Sequence, residues 1–181
     1  ATQDVVVVVK AVNDNNPVIT SNGVLSIAEN TMAVTTVTAT DADLPAQPLT
    51  YSISGGADSA LFSINSPTGV LTFIAVPDFE IPTDADLDNI YNLTVQASDG
   101  TLTATQDIAI TITVLNDNNP VITSNGVLSI IENTTTVTTV IAIDADLPAQ
   151  ALTYSIVGGT DSALFNINSS TGELTFIVAP D

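Results

Sequence analysis

Apolar and polar residues alternate with a period of two along much of the chain. Ile108, Ile110, Ile112 and Val114 interleave with Ala109, Thr111 and Thr113, and Leu93, Val95 and Ala97 interleave with Asn92, Thr94 and Gln96. Tyr51 and Ile53 alternate with Thr50 and Ser52; Phe62 with Ile64 and Leu71 with Phe73 are shorter examples. Successive side chains of a strand point to opposite faces, so each run predicts a strand with one buried face. Turn signals separate the runs: Gly55-Gly56, Ser66-Pro67-Thr68-Gly69 and Asp99-Gly100. No stretch has a helical period. Predicted strands cover 18–28 (broken at Asn22-Gly23), 33–40, 48–54, 60–65, 70–75, 90–98 and 101–114. Short strands at this spacing, rich in Thr, Val and Ile, predict an all-β, Greek-key sandwich of seven strands.

The pattern occurs twice. Residues 13–27 are identical to 116–130, and at the same offset of 103 residues 1–78 align with 104–181 without a gap, 57 of 78 positions being identical. These are tandem copies of one unit; residues 79–103 occur once. Three segments follow: 1–12 as the last strand of a preceding repeat, 13–115 as a complete repeat, and 116–181 as a linker plus an incomplete second repeat. Residues 5–9 are five consecutive valines, whose period cannot be read. A chain that opens inside a strand reads as a piece of something longer, and no signal peptide is visible.

Charge narrows the chemistry. Twenty acidic residues face one basic side chain, Lys10, for a net charge of −19. Salt bridges cannot neutralise the carboxylates, which are therefore either dispersed in solvent or partnered by a metal cation. Nucleic acid is excluded, because its phosphates require Lys and Arg. No apolar run approaches the roughly 18 residues of a membrane helix, so no direct membrane insertion is expected. The absence of Cys and His excludes a disulfide scaffold, a Cys/His zinc site and the familiar nucleophilic triads.

The acids and amides recur at fixed places beside the strands. Glu29-Asn30 and Glu132-Asn133 follow the first strand; Asp41-Ala42-Asp43 and Asp144-Ala145-Asp146 follow the second. Asp78-Phe79-Glu80 follows the fifth, Asp181 is the copy of Asp78, and Asp99 ends the sixth. Asn13-Asp14-Asn15-Asn16-Pro17 and Asn116-Asp117-Asn118-Asn119-Pro120 open the two copies. Calcium takes six to eight oxygen ligands, which several loops meeting at one end of a domain supply.

In this order the motifs resemble those of cadherin repeats, in the form common in large bacterial surface proteins. Ala28-Glu29-Asn30 stands for the family's xEN, Asp41-Ala42-Asp43 for DxD, Asp78-Phe79-Glu80 for DRE, Ala97-Ser98-Asp99-Gly100 for the sixth-strand loop, and Asn116 to Pro120 for the linker. The resemblance covers essentially the whole chain. It implies about three Ca2+ per complete junction. Glu29, Asp78, Glu80 and Asp117, joined by Asp146 and the Leu115 carbonyl, would hold two. Asn116, the Asn118 carbonyl, Asp144 and Asp146 would hold the third. At the earlier junction Asn13, Asp14, Asn15, Asp41, Asp43 and Asp99 supply the equivalent third site, while Glu132 and Asp181 face a following one. Three departures stand out: Val114 and Ala11 replace the leading Asp of the linker, Phe79 replaces the usual Arg, and Leu147-Pro148-Ala149-Gln150 lacks the Asn that often follows DxD.

The resemblance implies a non-enzymatic structural repeat: calcium stiffens an extracellular adhesin stalk or filament, partnered by neighbouring copies of the repeat or by other chains. The alternative is a module recognising carbohydrate or protein, against which stand the absence of Trp and an aromatic content of 4%. Asp84-Ala85-Asp86-Leu87-Asp88-Asn89 starts like a calcium-binding loop but lacks its Gly and terminal Glu, and is read as a solvated hairpin.

Overall fold

The computed structural model describes residues 1–181. Contacts divide them into two units, Ala1–Leu115 and Asn116–Asp181. In the first unit the strands are β1 (Val18–Ile19), β2 (Val24–Ala28), β3 (Ala33–Thr36), β4 (Ala39–Thr40), β5 (Thr50–Gly55), β6 (Phe62–Ile64), β7 (Val70–Phe73), β8 (Ile90–Ser98) and β9 (Thr103–Thr113). One sheet runs β2-β9-β8-β5, a second β3-β7-β6, and β1 pairs with β4. All ladders are antiparallel except β2 with β9, which is parallel, Val24 facing Ala109 and Ala28 facing Thr113.

Period-two alternation decides the core. The inward residues of β8 and β9 are Tyr91, Leu93, Val95, Ala97, Ile108, Ile110 and Ile112, and all are buried against Phe62, Leu71 and Phe73 of the second sheet and Val37. Phe73 stacks on Phe62 at a ring separation of 4.5 Å and meets Tyr91 edge-on at 5.2 Å. Each buried Val, Leu, Ile or Phe side chain contributes about 1.5–3 kcal/mol through burial. The predicted strand 18–28 breaks where the Asn22-Gly23 signal stands. Gly23 admits the neighbouring strand: a Cβ there would lie 2.6 Å from the Asp107 carbonyl oxygen.

The second unit repeats part of this plan. Its strands are β10 (Val121–Ile122), β11 (Thr136–Thr139), β12 (Ala142–Ile143), β13 (Phe165–Ile167) and β14 (Glu173–Phe176). The sheet β11-β14-β13 and the pair β10-β12 match β3-β7-β6 and β1-β4. Phe165 and Phe176 keep the stack at 4.7 Å, and the Tyr154 hydroxyl accepts the Ala142 amide as Tyr51 accepts that of Ala39. Residues 127–131 and 153–158, the copies of β2 and β5, form no strand. β2 and β5 are held by β9 and β8 in the first unit, and residues 116–181 contain no copy of either.

Residues 4–12 depart from expectation in the same way. They form no strand; every residue from 1 to 12 is exposed, the five valines at 77–90%. A strand exists through its ladder, and nothing pairs with this segment, whereas 103–113 lies between β2 and β8. No helix is long and apolar enough to cross a membrane.

Candidate metal centre

Three groups of carboxylates and amides form within the units. The first is built on Glu29, which terminates β2 and is 1% exposed. Its Oε2 accepts the Phe79 amide at 2.8 Å and its Oε1 the Leu115 amide at 2.6 Å. The Phe79 bond draws Asp78-Phe79-Glu80 beside Glu29, and one carboxylate oxygen from each of Glu29, Asp78 and Glu80 lies within 4.8 Å of the others. Asp78 Oδ1 accepts the Glu80 and Ile81 amides, fixing the turn.

The second group joins Asp41, Asp43 and Asp99, again within 4.8 Å. Asp43 accepts the Asn15 amide at 3.1 Å and the Asn15 side-chain nitrogen at 2.6 Å, and donates its own amide to Asp41 Oδ1 at 2.9 Å. Asp99 Oδ1 accepts the Thr101 and Leu102 amides, both at 2.7 Å. The Asn15 side chain and amide hold the Asp43 carboxyl below its ordinary range, against the opposing effect of burial. The Leu102 amide does the same for Asp99, also against burial and assisted by Thr101 and Asn13. One atom of the Asn13 carboxamide lies 3.0 Å from both Asp99 Oδ2 and Asp43 Oδ2. As the amide nitrogen it donates to both carboxylates. Asp14 is exposed and accepts the Asn15 side chain.

The third group, in the second unit, copies that arrangement. Asp146, 1% exposed, accepts the Asn118 amide at 3.1 Å, the Asn118 side chain at 3.0 Å and the Asp117 amide at 3.3 Å, all on Oδ1. Its amide donates to Asp144 Oδ1. Burial works to raise the Asp146 carboxyl, but the hydrogen bonds from Asn118 and Asp117 prevail and hold it below its ordinary value. Asn116 donates to Gln150 at 2.6 Å.

These groups fit a hard cation. The donors are carboxylate, amide and carbonyl oxygens, the set calcium selects. Asp41 Oδ2 and Asp146 Oδ2 are buried atoms with no hydrogen-bond partner. Such atoms are costly unless a ligand meets them.

Glu132 and Asp181 are exposed and belong to no cluster. Glu29 is fixed by the amides of Phe79 and Leu115, and residues 116–181 contain no copies of those two positions. A fourth cluster, Asp84, Asp86 and Asp88, shows that the loop read as solvated is only partly so: Asp84 is buried, accepting the Asp88 and Asn89 amides, while Asp86 and Asp88 are exposed. Repulsion from Asp88, with burial, raises the Asp86 carboxyl above its ordinary value. Sequence reasoning missed Asp58. Buried at 2% exposure, it accepts the Ala85 and Asn92 amides, both at 2.7 Å, and anchors that loop to β8. Lone Asp58, followed by no second acid, gives no motif to find.

Comparison with known proteins agrees with this geometry. A family profile described as the cadherin domain matches residues 23–115. Human protocadherin Fat 1 is 33% identical over 187 residues, covering 96% of the chain and 4% of that protein. Human protocadherin Fat 4 is 38% identical over 150 residues, covering 78% of the chain and 3% of that protein. The chain thus spans a small fraction of the length of these relatives. Among solved structures, the extracellular cadherin domains 3–6 of protocadherin gamma B2 superpose with a TM-score of 0.65 at 28% identity, covering 96% of this chain and 45% of that one. Domains EC1-2 of human protocadherin-24 give 0.74 at 24% identity, covering 93% and 80%.

Proposed function

Because the chain belongs to the cadherin domain family, an extracellular β-sandwich family of adhesion proteins, we propose that it is a calcium-stiffened structural repeat of a stalk or filament. Glu29, Asp78, Glu80 and the Leu115 carbonyl on one side of the linker, with Asp117 and Asp146 on the other, would hold two calcium ions. Asn116, the Asn118 carbonyl, Asp144 and Asp146 would hold a third. Asn13, Asn15, Asp41, Asp43 and Asp99 repeat that third site at the start of the chain, and Glu132 and Asp181 serve a following junction. Calcium supplies the positive charge that a chain with a single lysine lacks.

The observation that carries this reading is the Asp41, Asp43 and Asp99 cluster, in which Asp41 Oδ2 is buried without a hydrogen-bond partner. Near-identity of the tandem copies supports a long array, such as the stalk of a large surface adhesin, with neighbouring copies as partners and no catalytic role. Extracellular calcium modules bind at about 0.1–1 mM. At tenfold excess each site then adds about 1.4 kcal/mol to folded stability.

Calorimetric titration of chelator-treated protein with calcium tests the proposal. Binding of two or more ions, with magnesium a poor competitor, is expected. No binding at 5 mM calcium, roughly five times the weak end of that range, sinks it.

A further inference from the structure

The backbone of Phe79 links the Glu29, Asp78 and Glu80 group to a residue outside it. The Phe79 amide donates to Glu29 Oε2 at 2.8 Å, and the Phe79 carbonyl oxygen accepts the Asn89 side-chain nitrogen at 3.0 Å. Glu29 is one of the three acids; Asn89 is not. We propose that Asn89 is the positioning residue of this metal group, its carboxamide holding the Asp78-Phe79-Glu80 turn in the conformation that binds calcium. The proposal rests on the calcium reading of the site and adds to it a residue that touches no ion.

Three observations carry it. First, Asn89 is itself firmly held. Its amide donates to Asp84 Oδ1 at 3.3 Å, its carbonyl oxygen accepts the Ile112 amide of β9 at 2.9 Å, and the next residue opens β8. Asp84 is buried and also accepts the Asp88 amide at 2.8 Å, while the Ala85 amide ties the loop to buried Asp58 at 2.7 Å. Residues 74–89 contain no strand, so a turn within them takes its position from contacts of this kind.

Second, the backbone of Asn89 is left-handed, with φ at 63°. Gly, Asn and Asp tolerate that region. Of the three, only Asn has a side-chain donor at neutral pH. The Asn89 Oδ1 atom is buried without a hydrogen-bond partner, so the bond to Phe79 is what orients the carboxamide.

Third, one carboxylate oxygen from each of Glu29, Asp78 and Glu80 lies within 4.8 Å of the others, and like charges so placed repel. A carboxylate in the place of Asn89 would add to that repulsion, and a lysine would compete with the cation. A neutral carboxamide holds the turn and does neither. The coupling is reciprocal: calcium that fixes the turn also steadies Asn89 and the 84–89 loop.

Nuclear magnetic resonance of backbone amides during calcium titration of the 181-residue chain tests this, because it reads each group separately. Glu80 and Ile81, whose amides Asp78 accepts, report the group beside Asn89; Thr101 and Leu102, whose amides Asp99 accepts, report the other. Asn89→Gly keeps the left-handed backbone and removes the carboxamide. It should weaken calcium binding at Glu80 and Ile81 about tenfold, the low end of the loss usual when a residue that orients a metal ligand is removed. The Thr101 and Leu102 midpoint should stay within about twofold, as independent sites do. Asn89→Asp exchanges the donor for an acceptor and should weaken the Glu80 midpoint although it adds negative charge. In chelator, hydrogen exchange at Glu80 and Ile81 should quicken in both variants.

An unchanged Glu80 midpoint in Asn89→Gly overturns the proposal, as does equal loss at both groups, which marks general loosening of the fold. Tighter binding in Asn89→Asp overturns it too, because the side chain then meets the ion itself. Parent amides that calcium does not move overturn the calcium reading and this proposal with it. Parent amides that move, beside an unmoved Asn89→Gly midpoint, overturn this proposal alone.

Discussion

The Glu29 carboxylate accepts the Leu115 amide at 2.6 Å, joining residues 86 apart in sequence. The same side chain takes the Phe79 amide through its other oxygen. One buried acid thus fixes the end of β2, the Asp78-Phe79-Glu80 turn and the residue before the linker. Glu29→Ala leaves two part-buried amides without acceptors, at a cost on the order of 3 kcal/mol. Urea unfolding in chelator, where metal contributes nothing, measures it; a loss below about 0.5 kcal/mol, half of one typical hydrogen bond, contradicts the role.

Asp41 separates metal binding from folding. Its Oδ1 accepts the Asp43 amide, and Oδ2 has no hydrogen-bond partner. Asp41→Asn keeps the shape and the Oδ1 contact. It should change stability in chelator by less than about 0.5 kcal/mol and weaken calcium binding at the first unit's Asp43 and Asp99 cluster tenfold or more. Calorimetry of the variant beside the parent decides.

Leu71 and Leu174 are equivalent residues in near-identical local sequence, yet Leu71 is fully buried and Leu174 only half-buried. Leu71→Ala should cost about 2–5 kcal/mol, the usual range for a buried leucine. Leu174→Ala should cost less than half as much at low protein concentration. Equal losses in chemical unfolding would mean that the second unit packs as fully as the first.

The Asp86 carboxyl is raised by repulsion from Asp88 and by burial. The folded state therefore holds this proton more tightly than the unfolded chain, and the charge on Asp86 costs stability at neutral pH. That cost is relieved as pH falls from above the folded value toward the model-peptide value of 3.8. Asp86→Asn should stabilise the protein slightly at pH 7 and have no effect near pH 3. Nuclear magnetic resonance titration of Asp86, with unfolding curves for the variant, tests the sign.

Much of this was legible in the sequence because two strict patterns coincide in it. Period two placed β5, β8 and β9 within two residues and named their buried faces, since Ile108, Ile110 and Ile112 could face only one way. The repeat offset marked the acids at strand ends, and Glu29, Asp78 and Glu80 do come together, as do Asp41, Asp43 and Asp99. Alternation describes what a strand buries, however, and not whether a neighbour exists. Residues 4–12, 127–131 and 153–158 have the composition of strands and no ladder. Asp58 was invisible because its work is to accept two amides, Ala85 and Asn92, from segments 27 and 34 residues away.

The parallel pairing of β2 with β9 has a mechanical meaning. β2 lies near the start of its repeat and β9 at the end, and both run in one direction. Tension applied through the two ends of the repeat therefore pulls these neighbours past one another along their length. The ladder from Val24 with Ala109 to Ala28 with Thr113 is loaded all at once, in shear. An antiparallel pair joined at one end would instead be peeled one bond at a time. The first unit is built to stretch little and to yield abruptly, a property suited to a link in a chain under load.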